Sequence, residues 1–242
     1  MTANPLDSIT VDSVSPQIFS LIVAAGKGSR FGADIPKQYT PVLGKTIVEQ
    51  SVSALAASDY INQVLLVIAK DDEIAQDLDF MVSVTFVEGG AERWQSVKSG
   101  VEAIFAAGAK DEDLILIHDA ARPCVLAKHI DLVIETAMQE PYGAILGVPV
   151  ADTLKRVGVE GNIEATVDRS SLWQAQTPQV FRAAKLRQVL DYVAQQGLMI
   201  TDEASAFEAM GYTIKIVPGN NQNIKLTYAE DLTLIESILS SR

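Results

Sequence analysis

The sequence predicts an α/β fold, a Rossmann-like and mostly parallel sheet with helices on both faces and a protruding β-arm. Three observations carry this. Five short aliphatic runs, starting at Ile18, Ile61, Val82, Asp113 and Gly143, are continuous rather than alternating, which is how strands buried on both faces read. Stretches of helical period separate them, the pattern of βαβ units. The segment 151–178 then breaks the alternation, and its turn residues Gly158 and Glu160-Gly161-Asn162 predict a hairpin of short strands.

Taken in order, the first 16 residues are polar and acidic, with neither a basic nor an apolar stretch of the kind a signal peptide has. They read as a flexible tail before a single domain spanning 17–242. Thr46 followed by Glu49 forms a capping-box signature and opens a helix after the first strand. In 91–108 the side chains Trp94, Val97, Val101, Ile104 and Phe105 fall on one helical face. Further helical patterns begin near Ala127, Arg182 and Ala229, and Thr201-Asp202-Glu203 reads as a helix N-cap with acidic first-turn residues. The arm at 151–178 has little core of its own and is expected to pack on another subunit.

Composition narrows the function. The 242 residues hold 19 Lys and Arg against 31 Asp and Glu, a net charge of −12, which disfavours a non-specific nucleic-acid binder. No apolar run has the length of a membrane span. One cysteine, Cys124, excludes an intramolecular disulfide framework, and two histidines make a His-rich zinc site a poor reading. The expectation is a cytoplasmic protein.

Ligands of open α/β sheets bind beyond the carboxyl ends of strands, so the loops there hold the candidate residues. The first, Ala24 to Tyr39, sets Gly26, Gly28 and Gly32 among Lys27, Arg30 and Lys37, a phosphate-binding composition. The alternative is a flexible surface turn. The loop lacks the third glycine of the dinucleotide fingerprint, where Phe31 stands, and Gly44-Lys45-Thr46 lacks the earlier glycine of a P-loop, where Tyr39 stands. In the loop 88–96, Gly90 could admit a flat base and Ser96 offers a hydroxyl, but a plain strand-to-helix turn explains the glycines equally well. After the run from Asp113, Asp119 and Arg122 flank the small Ala120 and Ala121 and suit a site for phosphates and a divalent cation, the alternative being a helix cap beside a surface arginine. His118 reads as a packed strand residue and Cys124 as a buried hydrophobe. Asp152, Thr153, Lys155, Arg156, Thr166 and Arg169 make the arm polar and mainly basic, which a solvated hairpin face would also explain. Lys225 is expected on a short strand, and alone it is a weak signal. No nucleophile–base pair of the hydrolase kind is visible. Cations with a few hydroxyls and carboxylates suit phosphoryl or nucleotidyl transfer, where the substrate brings its own nucleophile.

The loop 24–32 with Pro36-Lys37-Gln38-Tyr39 resembles the signature of sugar-nucleotide-type nucleotidyltransferases. The strings 118–123, 152–156, 166–173, 177–179, 200–205 and 223–227 narrow the resemblance to the 2-C-methyl-D-erythritol 4-phosphate cytidylyltransferases of the non-mevalonate isoprenoid pathway, from about Ile18 to the C-terminus. The resemblance implies CTP and methylerythritol phosphate as substrates, Mg²⁺ held mainly by CTP phosphates rather than by protein side chains, and a homodimer. It places Ala24, Ala25, Gly90 and Ser96 around cytosine, Asp119 near the ribose and the acceptor, and Gly26, Lys27, Gly28, Ser29 and Arg30 around the triphosphate. Arg30, Lys37, Lys225 and Arg169 become the catalytic set. Asp119, Arg122, Thr153, Arg169, Thr201 and Lys225 hold the acceptor, with Thr153 and Arg169 coming from the second subunit. Two departures from the family pattern are Val23, where proline is frequent, and Ala91, where an acid is frequent. Ribitol-5-phosphate cytidylyltransferase shares the CTP half of the pattern and is the nearest competing reading. A catalytically silent nucleotide-binding module is the other, and it leaves the joint presence of Arg30, Lys37, Arg169 and Lys225 unexplained.

Overall fold

The computed structural model describes residues 15–26, 31–32 and 35–242. Most of the expected tail (1–14) and the stretch Lys27–Arg30 lie outside these residues. The chain enters the sheet on β1 (Ile18–Val23) and passes a 3-10 turn at Lys37–Tyr39. A tight hairpin follows, β2 (Pro41–Val42) and β3 (Lys45–Thr46), which turns at Leu43 and Gly44 with positive φ. It leads straight into α1 (Ile47–Leu55), where Thr46 and Glu49 close the capping box. The Gly44-Lys45-Thr46 triplet is therefore turn and cap. Next come β4 (Gln63–Ile68), β5 (Ser83–Glu88), α2 (Arg93–Ala106), β6 (Leu114–Asp119), α3 (Ala127–Gln139) and β7 (Gly143–Pro149). The hairpin β8 (Leu154–Val157) and β9 (Ile163–Val167) precedes β10 (Trp173–Arg182), α4 (Ala183–Gln196), α5 (Glu203–Ala209), β11 (Lys215–Pro218) and α6 (Asp231–Ser240).

Seven strands form one sheet in the order β11-β7-β10-β6-β1-β4-β5. Only β10 runs antiparallel to its neighbours, β6 and β7. Fully buried aliphatic side chains of β1, β6 and β7 face both ways. One set packs with α1 and α3, the other with α2, α4 and α5. From β1 the chain moves outward to β4 and β5, then returns to β6 on the opposite side of β1. This reversal opens a crevice between the carboxyl ends of β1 and β6, the natural ligand position in such sheets.

Four sequence expectations are corrected. The run from Val82 does not form a strand buried on both faces. It becomes β5, an edge strand, with Ser83, Thr85, Phe86 and Glu88 exposed. Within the segment 151–178 the hairpin accounts for 154–167, and from Trp173 onward the chain belongs to the central sheet. Lys225 lies on no strand; residues 224–227 run as an irregular loop after β11. The helix after 200 is capped by Asp202, not Thr201, through a reciprocal pair with Ser205. The aliphatic pattern announces neither β10 nor β11.

Candidate functional site

Six connections leave the same edge of the sheet: those after β1, β4, β5, β6, β7 and β11. The antiparallel β10 enters at that edge and delivers Gln176 and Thr177 beside the end of β6. The centre is Asp119, the last residue of β6, whose side chain is 10% exposed. Its Oδ1 accepts from Arg93 Nε at 3.2 Å and pairs with Nη2 at 3.1 Å. Its Oδ2 pairs with Lys225 Nζ at 2.7 Å and faces Arg122 Nε at 3.6 Å. Burial alone would raise its pKa, but Arg93, Lys225 and Arg122 together hold the carboxyl well below the usual carboxylate range.

Arg93 has a second carboxylate. Its Nη1 donates to Glu203 Oε1 at 2.5 Å, and the Glu203 side chain has no exposed surface. Burial pushes the Glu203 carboxyl up, with Arg93 opposing. For Arg93 burial acts against the charge, but Glu203 and Asp119 outweigh it and raise the pKa. Three cations against two carboxylates leave the cluster with one positive charge.

The supporting contacts explain why these side chains stay in place. The Asp119 N–H donates to Thr177 Oγ1 at 3.1 Å, which lies 3.0 Å from His118 Nδ1, while His118 Nε2 lies 3.0 Å from the Arg122 carbonyl. Because that carbonyl can only accept, Nε2 carries the proton, Nδ1 accepts from Thr177, and one directed chain links Asp119 to Arg122. Burial lowers the His118 pKa to about 4, so the ring is neutral near pH 7. The loop bearing Lys225 is tied on both sides. Leu226 N–H donates to the Ala121 carbonyl at 2.8 Å, Arg122 Nη1 to the Asn223 carbonyl at 2.7 Å, and Asn223 Nδ2 to the Thr177 carbonyl at 2.9 Å. Lys37 Nζ donates to the Leu226 carbonyl at 2.5 Å. Cys124 is fully buried, and burial lifts its thiol to about 11, as befits an inert packing residue.

Two cavities meet at this cluster. The first, about 260 Å³, is lined by Ala24, Ala25, Gly26, Lys37, Gly90 and Ser96 among others. The second, about 220 Å³, is lined by Arg122, Thr177, Gln179, Thr201 and Asp202 among others. Arg93, Asp119 and Lys225 line both and form the wall between them. Gly89 and Gly90 are required by close approach: a Cβ on Gly89 would lie 2.7 Å from Ala25 Cβ and Ser96 Oγ, and one on Gly90 2.4 Å from Gln95 Cβ. Ser96 Oγ accepts from Gly90 N–H at 3.1 Å and lies 3.2 Å from the Glu92 carbonyl. Its hydroxyl thus shapes the loop as well as facing the cavity. Val23 and Ala91 both sit on the first cavity's wall.

The structure thus brings together Ala24, Ala25, Gly26, Gly90, Ser96, Lys37, Asp119 and Lys225 at one cavity, and Asp119, Lys225, Arg122 and Thr201 at the other. Lys27, Gly28, Ser29 and Arg30 are outside the described residues. Thr153 and Arg169 line neither cavity. Both are exposed on the arm, where Arg169 donates to the Ala151 carbonyl. The sequence pattern gives Glu203 only a place in the first turn of a helix, and it singles out neither Gln38 nor Arg93 for an individual role. Gln38 Nε2 holds the Ala24 carbonyl at 2.6 Å on the first cavity's wall. The place of Arg93, at a helix start three residues after a glycine pair, is its available signal; the burial of Glu203 has none.

Comparison with known proteins shows what the chain is similar to. A family model for 2-C-methyl-D-erythritol 4-phosphate cytidylyltransferase matches residues 18–241. A protein of that name from Psychrobacter arcticus is 50% identical, over 95% of this chain and 94% of its own length. A crystal structure of a 4-diphosphocytidyl-2C-methyl-D-erythritol synthase superposes with a TM-score of 0.81 at 36% identity, covering 93% of this chain and 99% of that one. The 2-C-methyl-D-erythritol 4-phosphate cytidylyltransferase of Francisella tularensis gives 0.78 at 30% identity, covering 92% and 99%.

Proposed function

The chain belongs to the 2-C-methyl-D-erythritol 4-phosphate cytidylyltransferase family, and from that premise we propose how its two cavities divide the reaction. The enzyme transfers the cytidylyl group of CTP to 2-C-methyl-D-erythritol 4-phosphate, giving 4-diphosphocytidyl-2-C-methyl-D-erythritol and pyrophosphate, in isoprenoid precursor synthesis. CTP occupies the first cavity. Its cytosine lies against Ala24, Ala25, Gly90 and Ser96, and its triphosphate is assigned to Gly26 and to Lys27, Gly28, Ser29 and Arg30, which lie outside the described residues. The acceptor phosphate occupies the second cavity against Arg122 and Thr201, with Asp119 at the sugar. A phosphate oxygen of the acceptor attacks the α-phosphorus in line. The bond from the α-phosphorus to the bridging oxygen breaks, and pyrophosphate leaves with the electron pair. Arg30, Lys37 and Lys225 stabilise the charge gathered at the α-phosphorus, where each such preorganised contact is worth a factor on the order of 10²–10³ in rate.

The observation that supports this reading is the shared wall. Two cavities with Lys225, Arg93 and Asp119 between them let two anionic substrates approach one centre from opposite sides, each with its own phosphate contacts. The acceptor comparison tests it. Pyrophosphate release from CTP is expected with methylerythritol phosphate and not with ribitol 5-phosphate, and the reverse result would reject the substrate assignment.

Mg²⁺ fits as counter-ion to the triphosphate. Among the described residues no group of three or more His, Cys, Asp or Glu could hold an ion, and Asp119 already faces three cations. The CTP phosphates themselves are the natural ligands, and the ion supplies further charge neutralisation there. The active form we propose is a homodimer in which Thr153 and Arg169 of each arm complete the neighbour's acceptor cavity. The arm supports this because its apolar Val157, Val159 and Ile163 are exposed in the single chain. We assign the enzyme to the cytoplasm on its small anionic substrates and single, buried cysteine; no described helix is long and apolar enough to cross a membrane.

A further inference from the structure

The way Arg93 divides its nitrogens is unusual for a guanidinium beside an aspartate. The favoured arrangement is a fork that places two nitrogens on two carboxylate oxygens. Here Nε and Nη2 both address Asp119 Oδ1, and Oδ2 is left to Lys225 Nζ. What turns the fork is the third nitrogen, Nη1, which is held by Glu203 Oε1.

Glu203 is poorly suited to a purely stabilising role. It is fully buried, its Oε2 has no hydrogen-bond partner among the described residues, and burial opposes its charge. A buried pair with an unmet oxygen gains little over a well-packed apolar side chain. Its position is rigid nonetheless. The Asp202–Ser205 capping box fixes the first turn of α5, and Gln179 of β10 donates to Asp202 Oδ2 at 2.8 Å while accepting from Ala204 N–H at 3.3 Å.

We infer that Glu203 is a positioning residue for the transfer reaction: it rotates Arg93 onto one oxygen of Asp119, which reserves the other for Lys225 and fixes that ammonium between the two cavities. Without it, the Arg93 fork would close over both oxygens and displace Lys225. The inference rests on the proposed role of Lys225 at the α-phosphorus.

The test compares Glu203→Met, of similar size with no acceptor, with Glu203→Gln, which keeps an acceptor for Nη1. Pyrophosphate release and a thermal melt are recorded for each. Glu203→Met is expected to lower kcat about 10- to 100-fold with KM for CTP within about threefold of the parent, and Glu203→Gln to recover kcat to within about threefold. In a Lys225→Ala background, Glu203→Met is expected to have almost no further effect, because it acts through Lys225. Should Glu203→Met fail to fold, Arg93→Lys, which has one nitrogen in place of the three that reach Asp119 and Glu203, is expected to show the same selective loss of kcat. Parental kcat in Glu203→Met, a Gln variant as impaired as Met, or full additivity with Lys225→Ala would each overturn the inference. Absence of pyrophosphate release by the parent would instead reject the reaction, and parental kcat in Lys225→Ala would reject that lysine's role.

Discussion

The Asp119 centre and the β8–β9 hairpin leave the same edge of the sheet but are completed in different ways. At the centre, buried charges are answered within the chain: one aspartate faces three cations, and a backbone-anchored chain through Thr177 and His118 fixes its loop. On the hairpin, Val159 is fully exposed and Ile163 is 65% exposed, and the pairing of β8 with β9 covers neither. The polar hairpin residues contact each other, as Lys155 does Thr166 at 2.6 Å, and none lines either cavity. The Asp119 charges find their partners inside one chain, whereas an apolar ribbon in water is covered only by a second surface.

The largest effect is expected where the centre's charge is removed. Asp119→Asn keeps the shape but leaves Arg93, Arg122 and Lys225 mutually repelling around a neutral amide. Turnover should fall on the order of 10³, and a denaturant melt should show a loss of about 3–5 kcal/mol, the cost typical of breaking a buried pair. Near-parental turnover would show that the cluster merely fills space, and the contrast with the arm would lose its functional side.

The sequence made the centre legible because its residues follow strand ends, and buried parallel strands announce themselves as continuous aliphatic runs. Asp119 ends such a run and Arg122 follows it, while Gly89-Gly90 follow the edge strand β5. Lys225 was less accessible, since the loop that carries it is irregular and is located by hydrogen bonds from Leu226 and Asn223 to distant parts of the chain. Glu203 reads in the sequence as a first-turn acid of a helix, which it is. Its full burial depends on how α5 docks against β10, a long-range contact with no local pattern. The same holds for β10 itself. Its polar stretch Gln174 to Gln179 resembles a loop, yet it lies between β6 and β7 with Gln176, Thr177 and Gln179 buried.

A mixing experiment probes the arm at the next level of effect. Arg169→Ala and Lys225→Ala should each be about 10²-fold slowed when pure. If the arm completes the partner's site, co-refolded mixtures contain dimers in which one site carries both intact residues. Random pairing of equal amounts then restores about a quarter of parental activity. A mixture no more active than its components would mean that each chain uses its own Arg169, and the arm would no longer differ from the centre in kind.

The smallest effect on the fold is expected from Ile163→Ser, and its smallness is what makes it informative. Ile163 pairs only with Val157 across the hairpin and contributes nothing to the three buried cores. In the isolated chain, replacing an exposed isoleucine should change stability by no more than about 0.5 kcal/mol. In a dimer that covers the hairpin, the same change removes apolar area from the interface, weakening association by about 1–3 kcal/mol for a fully covered side chain. Sedimentation across a dilution series separates the two cases. A shift of the monomer–dimer midpoint to higher concentration, with an unchanged melt of the monomer, is the expected pair of results. An unchanged midpoint would mean that Ile163 stays in water in the assembled enzyme, and a different surface would then have to hold the subunits together.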